Sequence, residues 1–183
     1  MKKKSFIMAL ALVLVFAVAV GGVVAWLTDK TAPVKNTFTV GDINIKLEES
    51  KDLNLKMVPG NDIKKDPTVT VKAGSEACWL FVEVEKSANF DNFMTYAMAD
   101  GWTQGKGTDG IPTNVYWCKV DATTADTPFS VLKDNQVTVK DTVTKTQLEE
   151  VKTADQPTLT FTAYAVQKDN IADAATAWSK ITP

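Results

Sequence analysis

The chain contains no histidine and no arginine. Without histidine there is no Ser-His-Asp or Cys-His nucleophile system, and no His-ligated zinc or copper site. All 20 basic residues are lysine, set against 22 acidic residues for a net charge of −2. That balance leaves no concentrated basic face for a nucleic-acid backbone. Also missing are a P-loop, a paired-glycine dinucleotide fingerprint, EF-hand spacing and a His-Glu-x-x-His helix. The sequence has no internal repeat, no low-complexity tract and no long linker, so one domain is the natural count.

What remains of chemistry is sparse. Gly105-Lys106-Gly107 has the flavour of a phosphate loop, but no Lys-Ser/Thr ending follows, and it reads as a loop. Asp121, Asp126 and Asp134 sit in polar stretches and carry oxygen ligands that suit Ca²⁺. Their spacing matches no compact calcium loop, so they read as solvated surface charge. Glu83 and Glu85 fall two apart on one strand face, which reads as the outer face of a sheet with Lys86 and water as partners. Only two cysteines are present, Cys78 and Cys118, each beside a tryptophan. In an exported chain they form a candidate disulfide. The alternative is two buried small apolar side chains.

Export is what the N-terminus suggests. Lys2, Lys3 and Lys4 precede an apolar run from Phe6 to Val20, and Gly21-Gly22 breaks it. This is the layout of a signal peptide. Val23-Val24-Ala25 offers small or modest side chains before a cut, so cleavage is expected after Ala25, with the bond after Trp26 as second choice. Residues 1–25 are then the signal, 26–36 an extended arm and 37–183 the folded domain. The alternative is an anchor: the uncharged stretch Phe6–Leu27 is 22 residues long, enough for roughly 30 Å of hydrocarbon. Cutting removes three lysines, leaving 17 against 22 acidic residues, a net of −5. No polybasic stretch then remains for an anionic membrane surface. The membrane is met only through the signal segment.

Beyond residue 36 the pattern has period two. Phe38 and Val40 share one face, Gly41-Asp42 shifts the phase like a bulge, and Ile43, Ile45 and Leu47 continue inward. Leu53, Leu55 and Met57 alternate next, and Pro59-Gly60-Asn61-Asp62 signals a turn. Further strands are expected at Val69 and Val71, and at 78–85, 115–120, 129–132, 136–143 and 158–167. The stretch 78–85 is apolar on both faces in its first half and reads as a central strand. Phe90, Phe93, Met94, Ala97 and Met98 predict a helix ended by Asp100-Gly101. Thr146 and Glu149 suggest a capping box, and Ile171, Ala175, Trp178 and Ile181 a last helix face. The expected class is all-β: a two-sheet, jelly-roll-like sandwich with two or three short helices.

GGVVAWLTD at 21–29, followed by NTFTVGDINIKLEE at 36–49, resembles the start of proteins exported through the SipW-type signal peptidase. Their usual pattern is Gly-Gly-Thr-x-Ala-aromatic-Phe-Thr-Asp, then Asn-Thr-Phe-x-x-Gly. The likeness continues at 57–85 and returns at 159–178. Val23, Val24 and Leu27 depart from the pattern, as do the two cysteines. The chain thus resembles the TasA–camelysin family of Gram-positive biofilm fibre and surface proteins. The resemblance implies a jelly-roll-like fold and a secreted structural subunit that self-associates into extracellular fibres after processing by that peptidase. It implies no cofactor, and the peptidase activity described for camelysin-type members has no support in a chain lacking histidine. A monomeric or membrane-tethered surface protein is the alternative. In the arm, Trp26, Leu27 and Val34 are apolar and Pro33 favours an extended chain. The arm is therefore a candidate donor strand for another copy.

Overall fold

The computed structural model describes residues 43–50, 56–151 and 155–181. The bulge at Gly41-Asp42, the alternation at Phe38 and Val40, and Leu53 and Leu55 lie outside them. Among the described residues ten strands form three antiparallel sheets with a few short helices, so the chain is all-β.

The four-stranded sheet organises the rest. Its order is β10 (Leu159–Gln167), β4 (Cys78–Lys86), β7 (Val115–Val120), β6 (Thr103–Gln104). β4 pairs along its nine residues with β10 and over Cys78–Glu83 with β7. Because strand side chains alternate, β4 divides its apolar residues between two faces. Cys78, Leu80, Val82 and Val84 enter the larger core, while Trp79 and Phe81 enter a second one on the opposite face. A strand buried on both faces near its start is what a near-continuous apolar run specifies.

The larger core is closed by the other two sheets. One has the order β1 (Ile45–Glu48), β3 (Thr68–Val71), β8 (Thr127–Ser130). The other has β2 (Asp62–Lys64), β9 (Gln136–Val139), β5 (Met94–Thr95). These two sheets are parts of one long antiparallel pairing. Lys64 faces Gln136 and Thr68 faces Ser130, so three residues on one arm oppose five on the other. Asp134 at φ 54° and Asn135 at φ 53° take up the surplus as a left-handed kink. Main-chain bonds from Lys65 N to Asn135 O (2.8 Å) and from Val131 N to Pro67 O (3.0 Å) stitch the ladders across the interruption. Ile43, Ile45, Val69, Val71, Val131, Val137 and Val139 point from this layer into the larger core. Fully burying one such side chain contributes roughly 1.5–3 kcal/mol.

The connection from β1 to β2 is clamped by charge. Lys65 Nζ donates to both carboxylate oxygens of Glu49, at 3.0 and 3.1 Å, and lies 5.6 Å from the Phe161 ring centroid. Next to it, Asp66 accepts from the Ser50 amide at 3.0 Å and the Ser50 hydroxyl at 2.6 Å.

The second core is covered differently. α3 (Ala174–Trp178) lays Ala174, Ala177 and Trp178 over Trp79, Phe81, Val115 and Val166, with Ile111 from a loop alongside. Asp173 caps this helix by accepting from Thr176 N at 2.7 Å.

Several local expectations need correction. The helix after Ser87 is only α1 (Phe90–Phe93); Met94–Thr95 leaves it to pair with Val139 and Thr138. Beyond Phe93 the spacing Met94, Tyr96, Met98 also has period two, and the open edge of β9 supplies main-chain partners that a longer helix would forgo. The capping box belongs to Thr144 and Gln147, at the start of α2 (Lys145–Glu150), not to Thr146 and Glu149. β8 ends at Ser130 and β9 at Val139, short of the expected bounds. The turn at Pro59-Gly60 is present: Asn61 N donates to Val58 O at 3.0 Å, and Gly60 takes the φ of 77° that such a turn requires.

Candidate functional site

Ala25, Trp26, Leu27 and Val34, the cleavage and arm residues, lie outside the described residues. Among the described residues no helix is long and apolar enough to cross a membrane.

Cys78 and Cys118 are brought onto the same face of adjacent strands. Cys78 sits opposite Val120 and Cys118 opposite Leu80, so the two are diagonal neighbours. A diagonal of that kind spans roughly 7–8 Å, whereas disulfide Cα atoms stand about 4.4–6.8 Å apart. Both are free thiols in the structure. Burial pushes the Cys78 thiol up to about 11; burial, then the neighbouring Cys78, pushes Cys118 up to about 12. Neither has the electropositive surroundings of a reactive thiolate.

The carboxylates are accounted for one by one. Glu83 accepts from the Tyr164 hydroxyl at 3.0 Å and from Asn114 Nδ2 at 3.3 Å, on the face it shares with exposed Glu85. Burial and then the Glu83 carboxylate push Tyr164 up to about 12. Asp126 pairs with Lys72 and accepts from Ala73 N at 2.9 Å, which holds it below the usual carboxylate range. Asp121 lies 3.6 Å from Lys168 Nζ, and Asp134 sits in the kink between β8 and β9. Among the described residues no group of three or more His, Cys, Asp or Glu is arranged to hold a metal. The glycine-rich stretch is a loop in which Asp109 accepts from Lys106 N and Ile111 N. Gly105 lets that loop pass close to the chain, since a Cβ there would meet Pro112 O at 2.4 Å.

Two surface features remain. An open cleft of about 450 Å³ is lined by Lys86, Asp91, Tyr96, Met98, Gln104 and Tyr116. Lys86 is paired with Asp91 at 2.6 Å and lies 6.0 Å from the Tyr96 ring centroid. Burial, with Tyr116 and then Asp91, pushes the Tyr96 hydroxyl up. The cleft holds one carboxylate and one amine already bound to each other, which is not an acid–base pair poised for catalysis.

The other feature is the edge formed by β10, which has β4 as its one strand neighbour among the described residues. Ser87 N donates to Thr158 O and Lys168 N to Ala77 O. In an antiparallel ladder this aims the main-chain groups of even-numbered β10 residues at β4. Those of Leu159, Phe161, Ala163, Ala165 and Gln167 point away from the sheet. No main-chain hydrogen bond reaches these groups from the described residues outside β4. The sequence marked β10 as a strand, but periodicity carries no information about which strand ends up on an edge.

Comparison with protein-family models, with curated proteins and with solved structures finds no match for this chain.

Proposed function

We propose that this chain is a secreted structural subunit of extracellular matrix fibres, of the TasA–camelysin kind, in which a freed N-terminal arm joins one copy to the next. The observation that carries this reading is the β10 edge, nine residues long and paired on one side among the described residues. An extended peptide adds to such an edge through main-chain hydrogen bonds. The arm from Trp26 to Asn36 supplies the peptide, with Trp26, Leu27 and Val34 as apolar anchors. Arm and edge are different surfaces, so the contact is head-to-tail and propagates instead of closing. The two stitched small sheets facing the four-stranded one support reading the fold as a jelly-roll-like sandwich. On this view a SipW-type signal peptidase acts once, after Ala25, and the protein is not an enzyme.

The test compares protein beginning at Trp26 with protein beginning at Asn36. Both are expected to fold with the same far-UV spectrum and a cooperative melt. Electron microscopy is expected to find filaments with the longer form alone. Equal filaments from both would remove the arm as the connector. Filaments from neither would favour the monomeric or membrane-tethered surface protein.

A further inference from the structure

The segment after β10 is attached to the protein in an unusual way. Among the described residues, every hydrogen bond made by residues 169–181 is local. Ile171 N reaches Lys168 O, Ala177 N reaches Asp173 O, and Ser179, Lys180 and Ile181 bond back within the helix and its end. The last main-chain tie to the sheet is Lys168 N to Ala77 O at 2.8 Å, and the last ion pair is Lys168 with Asp121 at 3.6 Å. Beyond Lys168 the segment is held to the sheet by side-chain packing among the described residues. Ala174 is 5% exposed and Ala177 0%; Trp178 sets its ring 5.3 Å from Phe81 and 5.6 Å from Tyr164.

The hinge and the surface beneath both favour release. Asp169 and Asn170 are exposed, and Asn170 holds a left-handed φ of 61°. A turn at those two residues can straighten without breaking a sheet hydrogen bond. α3 carries its own cap and its own main-chain bonds, so it moves as a unit. Underneath lie Trp79, Phe81, Val115 and Val166, an aromatic and aliphatic platform. The Trp79 indole Nε1 is buried without a hydrogen-bond partner. Small alanine anchors and the lack of main-chain ties to the sheet among the described residues place this segment at the low end of local stability.

We propose that residues 169–181 form an exchangeable strap that opens about residues 168–170 and docks on the same sheet face of a second copy. The occupant follows from the fit already visible within one chain: an identical strap matches the vacated platform residue for residue. Reciprocal exchange gives a closed dimer, and one-way exchange an open chain. The strap uses neither the N-terminal arm nor the β10 edge, so this inference stands apart from the fibre reading.

The test uses the purified protein and the variant Ala177→Arg. The arginine cannot enter a site with no exposure, so the variant's own strap is disabled and its sheet untouched. The variant is expected to keep a cooperative melt and to bind a synthetic peptide of residues 169–181. The same peptide carrying A177R is expected to bind at least about tenfold more weakly. In the unaltered protein, amides of 171–181 are expected to exchange with deuterium at least about a hundredfold faster than the β4-bonded amides of Thr160, Thr162, Tyr164 and Val166. Asn170→Val disfavours the left-handed turn and is expected to raise the dimer fraction in analytical ultracentrifugation, whereas A177R is expected to show no such rise. The proposal is overturned if A177R fails to fold, if the folded variant ignores the peptide, if strap amides exchange as slowly as the β4-bonded amides of β10, or if Asn170→Val forms no additional dimer.

Discussion

The two faces of the four-stranded sheet are covered by different physics. On one face, Leu80 and Val82 meet a second layer whose strands are hydrogen-bonded to one another and stitched across their kink. On the other, Phe81 and Trp79 meet a five-residue helix and a loop. Both faces exclude water from β4, since Leu80, Phe81 and Val82 are all at 0% exposure. Equal burial therefore does not mean equal stability. No strand of the first cover can peel away without breaking its ladders to the rest of that layer, whereas the helix of the second leaves by giving up side-chain contacts alone.

Paired truncations sharpen this contrast most. Leu80→Ala is expected to cost about 3–4 kcal/mol, because a closed, cross-linked layer cannot collapse into the cavity. Trp178→Ala is expected to cost about 1–2 kcal/mol, because its side chain is only partly buried and its helix can shift. Urea unfolding measures both. Equal losses would break the distinction, as would a larger loss at Trp178.

The cysteines probe the tighter face chemically. Cys78 is fully buried there, and its thiol is pushed from 9.0 up to about 11. In reduced native protein at pH 8, alkylation of Cys78 is expected to be about a hundredfold slower than in the unfolded chain, matching that shift in thiolate fraction. Mass analysis after timed iodoacetamide treatment reads the rate. Rapid native labelling would mean that this face opens as readily as the other. Unreduced exported protein lighter by two hydrogens would mean that the strands shift to close the Cys78–Cys118 bond.

Much of this sheet was legible from residues alone. β4, β7 and β10 carry strong β-propensity and apolar residues on core faces, and the structure has them at or near the expected bounds. What failed had a physical reason in each case. Phe90, Phe93, Met94, Ala97 and Met98 fit a helical period and, after Phe93, a strand period too; an available edge on β9 decided between them. On α3 the expected face was built on Ile171, Ala175, Trp178 and Ile181. All four do pack against the second core; what the pattern omitted is Ala174 and Ala177, which lie deeper still and whose small side chains give little signal but let the helix approach the sheet. The Asp134–Asn135 kink was missed because neither residue is glycine. The β10 edge, on which the functional proposal rests, is a property of strand order, which no local pattern records.

The smallest expected effect concerns acid, and it separates the two covers again. Burial alone would raise the Asp66 pKa, but the Ser50 hydroxyl and amide bonds, with Lys64, outweigh it and hold the carboxyl below its ordinary 3.8. Lys64 is 65% exposed, so solvent screens its share and the Ser50 bonds matter more. A folded pKa below the unfolded one gives stability that is present above about 3.8 and lost as pH falls through the folded value. Asp66→Asn is expected to cost about 1 kcal/mol at pH 7 and to flatten the acid limb of the stability curve. Asp66 clamps the layer over Leu80 and Val82, so the change is expected in the global unfolding midpoint. Asp173 is also held low, by the Thr176 amide it caps. Its protonation is expected to speed amide exchange in residues 171–181 while leaving the global midpoint nearly unmoved. A matched urea series at pH 3 and pH 7, with exchange read on the same samples, distinguishes the two. An Asp173→Asn variant that lowered the global midpoint as much as Asp66→Asn would show the strap to be integral to the fold, and the difference between the two faces would be lost.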